Sequence, residues 1–382
     1  MTTLDASIDE LTTDPHPALA AARRIGPIVR IPALDAWVVT ERAAAVAIMR
    51  DARRFTVDDP RFSTGQVLGP SMLSTDGAEH TRHRSPFTEW FSSRADLADL
   101  TEWMRHDAER LVASIATDGR AELRSTIAAP LAANTLAHLL GLDPPGPTAL
   151  LDWYRDIVAA VQAITAGHDP GSAGSRAYAR LRDAILAAAD EGRAVALLSA
   201  RDDLGDRDLA ANAAVILFGG IETSEGATAN AFWHLLTDHH LHEQVRARPE
   251  LINAFVEESL RVEPAAANVD RYATADVEFG GAQIKAGDYV IVSLAGANRD
   301  PDVFPDPDTI RLDRPNSRQH TTFALGPHAC LGIHIARAQT IAAVAAALDG
   351  LGDLTLDRSE SEGPHGLVFR KPPAVVATWS RG

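Results

Sequence analysis

Apolar positions along the 382-residue chain recur mostly at three- and four-residue spacing, a helical period carried by long alanine-rich stretches. It predicts helices over Ala18 to Arg24, Ala43 to Arg50, Asp96 to Ala116, Ile127 to Leu142 and Thr148 to Ile164, and the longest over Asp208 to Leu236. Further helical runs start at Pro249 and after Gly332, the latter continuing to about Leu348. Two-residue alternation is confined to short pieces. Ile28 to Ile31 with Ala36 to Val39 reads as a hairpin, and Val277 to Phe279 and Tyr289 to Val292 read as strands around turns at Gly280-Gly281 and Gly287-Asp288. Gly366 to Trp379 reads as two strands around Pro372-Pro373. Pro144-Pro145-Gly146-Pro147 separates two helices, and Gly167 to Ser175 is a break. From Val57 to Leu73 the pattern is lost, which marks either a binding loop or a plain surface loop. The expected fold class is mainly α with a minor β region.

Composition narrows the class. Hydrophobic residues make up 46% and charged residues 23%, as in an ordinary globular protein. Residues Met1 to Leu19 are polar and acidic without a long apolar run, so a soluble, cytoplasmic protein is expected. A single cysteine excludes an intrachain disulfide framework. A net charge of −16 argues against nucleic acid or an anionic membrane as the main partner.

That one cysteine, Cys330, lies in Thr-Thr-Phe-Ala-Leu-Gly-Pro-His-Ala-Cys-Leu-Gly-Ile-His-Ile-Ala-Arg, from Thr321 to Arg337, where an irregular segment feeds a helix. A thiol near a helix N-terminus meets the positive end of the dipole and backbone N–H donors, which favour the thiolate, a metal ligand. Gly326 and Gly332 lack Cβ atoms, so a flat macrocycle has room against the loop, and Phe323 is placed to cover the sulfur. A lone cysteine is more often a small buried hydrophobe. The pattern Phe-x-x-Gly-x-His-x-Cys-x-Gly is more specific, and it resembles the haem-binding loop of the cytochrome P-450 superfamily, with Ala324 standing where the family usually has glycine.

Other stretches extend the resemblance. Ala-Val-Ile-Leu-Phe-Gly-Gly-Ile-Glu-Thr-Ser places Gly219-Gly220 in mid-helix, each costing roughly 1 kcal/mol against alanine, which marks either a close approach to the backbone or a packing glycine pair with a capped polar turn. It resembles the family's distal-helix motif, which implies a dioxygen groove at Gly219 and a proton relay of Glu222 and Thr223. Glu258, Arg261 and Arg314 match the family's Glu-x-x-Arg and downstream arginine, implying a buried structural network. His80 and Arg84, four apart on one helix face, resemble the His-x-x-x-Arg element, although Pro86 is expected to kink that helix. With Arg271, His320 and His328 they are the implied haem partners, the physics being charge-assisted hydrogen bonding to propionates. Trp153, Tyr154, Ile157 and Ile164 read as core rather than as residues of the family's lid.

The resemblance covers nearly the whole chain. It implies one domain over 1–382 with haem b sandwiched between the distal helix and the cysteine loop, Cys330 being the axial ligand. The implied activity is insertion of one oxygen atom from O2 into a small apolar organic molecule, by hydroxylation or epoxidation. Electrons would come from a separate ferredoxin or flavodoxin-type donor, because the chain has no Gly-x-Gly-x-x-Gly fingerprint and no iron–sulfur cysteines. Val215, Phe218, Ala266, Ala267 and Asn268 are the expected substrate contacts. The alternative is a haem-binding sensor or carrier, or a peroxide-driven haem-thiolate enzyme.

Overall fold

The computed structural model describes residues 2–143, 148–165, 168–193, 197 and 200–380. The proline cluster Pro144 to Pro147 and the start of the break at Gly167 lie outside the described residues. Two compact units emerge from the pattern of contacts. One comprises Met1–Thr56, Thr101–Leu131 and Glu222–Gly382, the other Val57–Leu100 and Ala132–Ile221.

The first unit holds the strands. In chain order these are β1 (Ile28–Ile31), β2 (Ala36–Val39), β3 (Phe55–Thr56), β4 (Arg120–Glu122), β5 (Asn268–Ala273), β6 (Val277–Phe279), β7 (Ala282–Ile284), β8 (Tyr289–Ser293), β9 (Thr355–Leu356) and β10 (Val376–Thr378). The main sheet has the order β1-β2-β8-β5-β3, with β2 and β8 parallel and the other pairs antiparallel. The hairpin forms as expected, Ile28 opposite Val39. Strand β5 is not among the expected strands, and Arg271 lies in the middle of it, opposite Val290. Asp270 and Arg271 interrupt the apolar alternation that marks a half-buried strand, so the usual signal is missing. The C-terminal stretch also differs. Only Val376–Thr378 is a strand, while Ala266 and Phe369, and His365 and Lys371, form isolated bridges. Pro372-Pro373 removes two N–H donors and prevents a longer ladder.

Two of this unit's cores bear on the sheet and on the helix after Cys330. Ile28, Val39, Phe55, Val290 and Val292 of the sheet pack on Ala45, Ile48 and Met49 of the helix Arg42–Arg50. The second core joins Ala108 to Ile115, Phe232 and Leu235 of the distal helix, Phe255 and Val256, and Ala343, Val344 and Ala347 of the helix after Cys330. Trp379 closes it, its indole N–H donating to the Ala116 carbonyl at 2.8 Å.

In the second unit a helix from Ser63 to Leu68 lies inside the segment expected to be irregular, and Gly69 at φ +85° ends it. Gly65 hides the helical signal, and a Cβ there would come within 3.2 Å of the Ser74 side chain. The helix Gly77–Ser92 runs unbroken through Pro86, so His80 and Arg84 do share a face. Trp153, Tyr154 and Ile157 are buried, as read. The helices Ala149–Thr165 and Ala173–Asp190 cross closely at Gly174, where a Cβ would lie 2.5 Å from that of Ala160. The distal helix spans Asp206–Thr237, and the division between the units falls within it, after Ile221.

Candidate active site

The cysteine loop is pinned before it reaches the thiol. Thr321 donates its N–H and hydroxyl to Asn298 Oδ1 at 2.6 and 2.9 Å, and Thr322 Oγ1 donates to the Leu260 carbonyl at 2.8 Å. Ala324 takes the left-handed conformation, φ +50°, that a glycine at this position adopts without steric cost. The departure from the family pattern therefore leaves the turn in place. Gly326, φ +78°, has a stronger reason to be glycine, because a Cβ there would lie 2.4 Å from the Met49 carbonyl oxygen. After the 3-10 turn Gly326–His328, the Cys330 N–H donates to the Phe323 carbonyl at 2.8 Å, and the thiol is exposed. The following helix starts at Ile333. A Cβ at its cap residue Gly332 would meet no atom within 4 Å.

Two consecutive glutamates hold this loop from behind. Glu258 is fully buried and receives Arg261 Nε at 2.7 Å and Arg314 Nε at 2.9 Å. Burial opposes its charge, but hydrogen bonds from the two arginines outweigh burial and hold its pKa low. The expected Glu258, Arg261 and Arg314 network is therefore present, extended by Arg261 donating to the carbonyls of Pro307 and Thr309 at 2.6 and 3.0 Å. Glu257 was missed. It binds Arg337 Nε at 2.5 Å and His320 Nε2 at 3.1 Å, and although burial opposes its charge, those two partners keep its pKa at about 2. The Arg337 guanidinium in turn stands 4.7 Å from the Phe323 ring centroid.

His320 is thereby corrected. It was expected to offer a donor to a cofactor anion, but its Nδ1 accepts the Thr322 N–H at 3.3 Å while Nε2 faces Glu257. Both ring nitrogens are used by the protein, and burial lowers its pKa. Arg271, on β5, is a buried residue whose Nη1 donates to the Asp270 carbonyl at 2.6 Å.

Two expected substrate contacts also change. Ala267 is buried among Ile31, Val38, Ile291 and Ala295, with its N–H donating to the Val368 carbonyl at 2.8 Å, so it belongs to the core behind the sheet. Asn268 spends its amide on the Leu367 carbonyl at 2.7 Å and is a tether, not a free anchor. Ala266 is half-buried and bridges to Phe369.

On the distal helix, Thr223 is half-buried and Glu222 is 7% exposed. Lys371 Nζ lies 3.0 Å from Glu222 and 3.2 Å from Glu225, and Arg124 Nη1 lies 3.1 Å from Glu225. Glu225, three residues on, was legible as a same-face partner of Glu222. Lys371 was not, being 149 residues away.

In the second unit, Val215 and Phe218 are buried, the Phe218 ring centroid standing 6.4 Å from that of Tyr154. The glycine pair divides its work. A Cβ at Gly220 would strike Leu136 at 2.9 Å, whereas one at exposed Gly219 would meet nothing within 4 Å. Gly220 is thus a packing glycine, and Gly219 borders open space. His80 is 6% exposed and Arg84 half-buried. Their neighbours were overlooked: His83 Nδ1 meets Asn212 Nδ2 at 2.7 Å, and Arg82 pairs with Asp208 at 2.9 Å, fastening this helix to the distal one.

The chain is thus mainly helical with a small mixed sheet, a long helix that carries a glycine pair, and an exposed cysteine shortly before another helix. Comparison with known proteins gives its family. The family model "Cytochrome P450" matches residues 181–350. Nocardicin C N-oxygenase of Nocardia uniformis subsp. tsuyamanensis is 31% identical over 97% of this chain and 97% of its own. The cytochrome P450 monooxygenase PikC of Streptomyces venezuelae is 32% identical over 99% of this chain and 94% of its own. The crystal structure of CalO2 superposes with a TM-score of 0.89 at 27% identity, covering all of both chains. The chain belongs to the cytochrome P450 family, bacterial type, and is an oxidoreductase of its monooxygenase class. Members of that family bind haem. Among the described residues no helix is long and apolar enough to cross a membrane.

Proposed function

We propose that the chain is one functional domain, a haem b monooxygenase that hydroxylates or epoxidises a small apolar organic molecule with electrons from a separate ferredoxin or flavodoxin-type protein. The observation that carries this reading is the exposed thiol of Cys330, presented by a loop pinned at Thr321 and Gly326, with Gly332 beside it offering no side chain. A thiol donor with a neighbouring side-chain-free surface fits a planar iron macrocycle. Bound there, haem would supply the activation of dioxygen.

The chain's own residues supply the rest. Cys330 would ligate the iron, and the rigid backing by Glu257 and Glu258 fixes where its sulfur stands. Arg271, His328, His80 and Arg84 would hold the propionates, and Phe323 shields the sulfur side. Val215, Phe218 and Ala266 are the apolar groups assigned to substrate, with Gly219 leaving space for dioxygen. The Thr223 hydroxyl holds a proton donor at the reacting oxygen, and Glu222 resupplies it.

The test has two parts. Cys330→Ser should abolish the red-shifted Soret band of the ferrous carbon monoxide complex, and a retained band would sink the ligand assignment. Thr223→Ala should keep haem and substrate binding while product per NAD(P)H falls and hydrogen peroxide rises, a loss within the roughly 10²–10⁴-fold range of positioned acid–base groups. Wild-type coupling in that variant would mean that protons reach the reacting oxygen by another route.

A further inference from the structure

Lysine is almost absent from this chain: of 36 basic residues only Lys285 and Lys371 are lysines. Lys285 is a surface residue paired with exposed Asp276. Lys371 is different. Its side chain is 19% exposed, and its ammonium spans Glu222 and Glu225.

The backbone that delivers Lys371 is firmly built. Arg370, 2% exposed, donates to Glu263 at 2.7 Å and to the carbonyls of Thr12, Gly366 and Pro364 at 2.9, 2.9 and 2.7 Å. Its own N–H donates to the Ala265 carbonyl at 2.8 Å, and its carbonyl accepts Asn230 Nδ2 of the distal helix at 3.1 Å. Gly226 permits the approach, since a Cβ there would lie 2.9 Å from the Ala265 Cβ and 3.6 Å from the Lys371 Cβ. A helix turn without a side chain, an anchored arginine and a compact ammonium together bring one positive charge onto two buried carboxylates.

Those carboxylates need it. Glu222 and Glu225 are three apart on one helix face, 7% and 6% exposed, and like charges at that spacing repel. Arg124 also meets Glu225, so two acids and two bases gather here, with the Lys371 ammonium facing Glu222. A compact ammonium with three rotatable donors can meet both acids at once.

We propose that Lys371 is the positioning residue of the acid relay, holding the Glu222 carboxylate beside Glu225 and presenting the partly exposed edge through which the relay meets solvent. This rests on Glu222 serving in proton delivery. Lys371 touches neither haem nor substrate in this role; it acts through Glu222.

Because there are two lysines, protein labelled with 13C-lysine gives two Cε signals in the diamagnetic ferrous carbon monoxide form. The Lys371 signal, identified by its loss in Lys371→Met, should move in Glu222→Gln while that of Lys285 stays. In turnover, Lys371→Met should lower product per NAD(P)H about tenfold and alter the solvent deuterium isotope effect, with haem content unchanged, and Lys371→Arg should recover part of the coupling. An unmoved Lys371 signal in Glu222→Gln overturns the proposal. So does wild-type coupling in Lys371→Met when Glu222→Gln is uncoupled. If Glu222→Gln is itself fully coupled, the relay reading has failed first, and the role of Lys371 falls with it.

Discussion

Arg337 Nε lies 2.5 Å from Glu257 Oε1, tying the helix that follows Cys330 to the helix Ile252–Val262. Glu257 also receives His320 from the loop entrance, and Arg337 covers Phe323, whose carbonyl accepts the Cys330 N–H. One buried carboxylate thus braces both sides of the thiol. Removing one partner of a buried ion pair costs about 3–5 kcal/mol because the other charge is left uncompensated. Glu257→Ala should therefore lower the unfolding temperature of the haem-loaded protein markedly and raise the fraction lacking the thiolate Soret band. Thermal melts and carbon monoxide difference spectra check this, and unchanged values for both would dismiss the brace.

Ala324 offers a smaller, opposite effect. At φ +50° an L-residue carries about 1 kcal/mol of backbone strain that glycine does not. Ala324→Gly relieves it, partly offset by the freer unfolded chain, so stability should stay level or rise slightly. Ala324→Val puts a β-branched residue in the same conformation and should lose more than about 1 kcal/mol. Denaturant titration of the two variants ranks them, and a valine variant as stable as wild type would mean the turn is not left-handed.

Enlarging Ala267 is a test of the core rather than of specificity. The residue is 2% exposed behind the sheet, where added volume forces side chains off their rotamers at about 1–3 kcal/mol. Ala267→Phe should lower stability while the product spectrum of surviving enzyme stays as in wild type. A changed product at unchanged stability would return Ala267 to the substrate contacts.

Acid should destabilise the protein in two stages. His234 is enclosed 2.9 Å from Ser259 Oγ, and burial pushes its pKa down from 6.5 to about 4. The unfolded chain binds that proton more readily, so this contribution is complete above about pH 6.5 and is lost as pH falls towards 4. Glu257 and Glu263 have folded pKa values of about 2 against an ordinary 4.5, hydrogen bonds from His320 and Arg337 in the first, and from His16 with the charge of Arg370 in the second, prevailing over burial. Their contribution is intact above about pH 4.5 and disappears towards 2. Unfolding free energies measured from pH 7 to 3 should decline before the carboxylate range is reached. His234→Asn should flatten the slope between 6.5 and 4 while leaving the lower stage, and an unaltered upper slope would assign it to other histidines.

The chain's local patterns determined its family and its helical character, and they singled out the cysteine loop. Helical periodicity survives burial of one face, and the spacing around Cys330 and Gly219-Gly220 is written in consecutive residues. The Glu258, Arg261 and Arg314 network was legible for the same reason, each member lying in a short motif. What tertiary structure decided is where long-range partners meet. Strand β5 was hidden because half-buried Asp270 and buried Arg271 break the apolar alternation, the Asp270 carboxylate accepting the Tyr289 hydroxyl at 2.7 Å. His320 looked like an anion donor until the fold put Glu257 beside it. Ala267 and Asn268 looked like pocket residues, but strand pairing turned one into the core and tethered the other to Leu367. Lys371 could not be connected to Glu222 by any spacing rule, because the charge that an acid pair requires can come from anywhere on the chain, and only folding chooses the residue that supplies it.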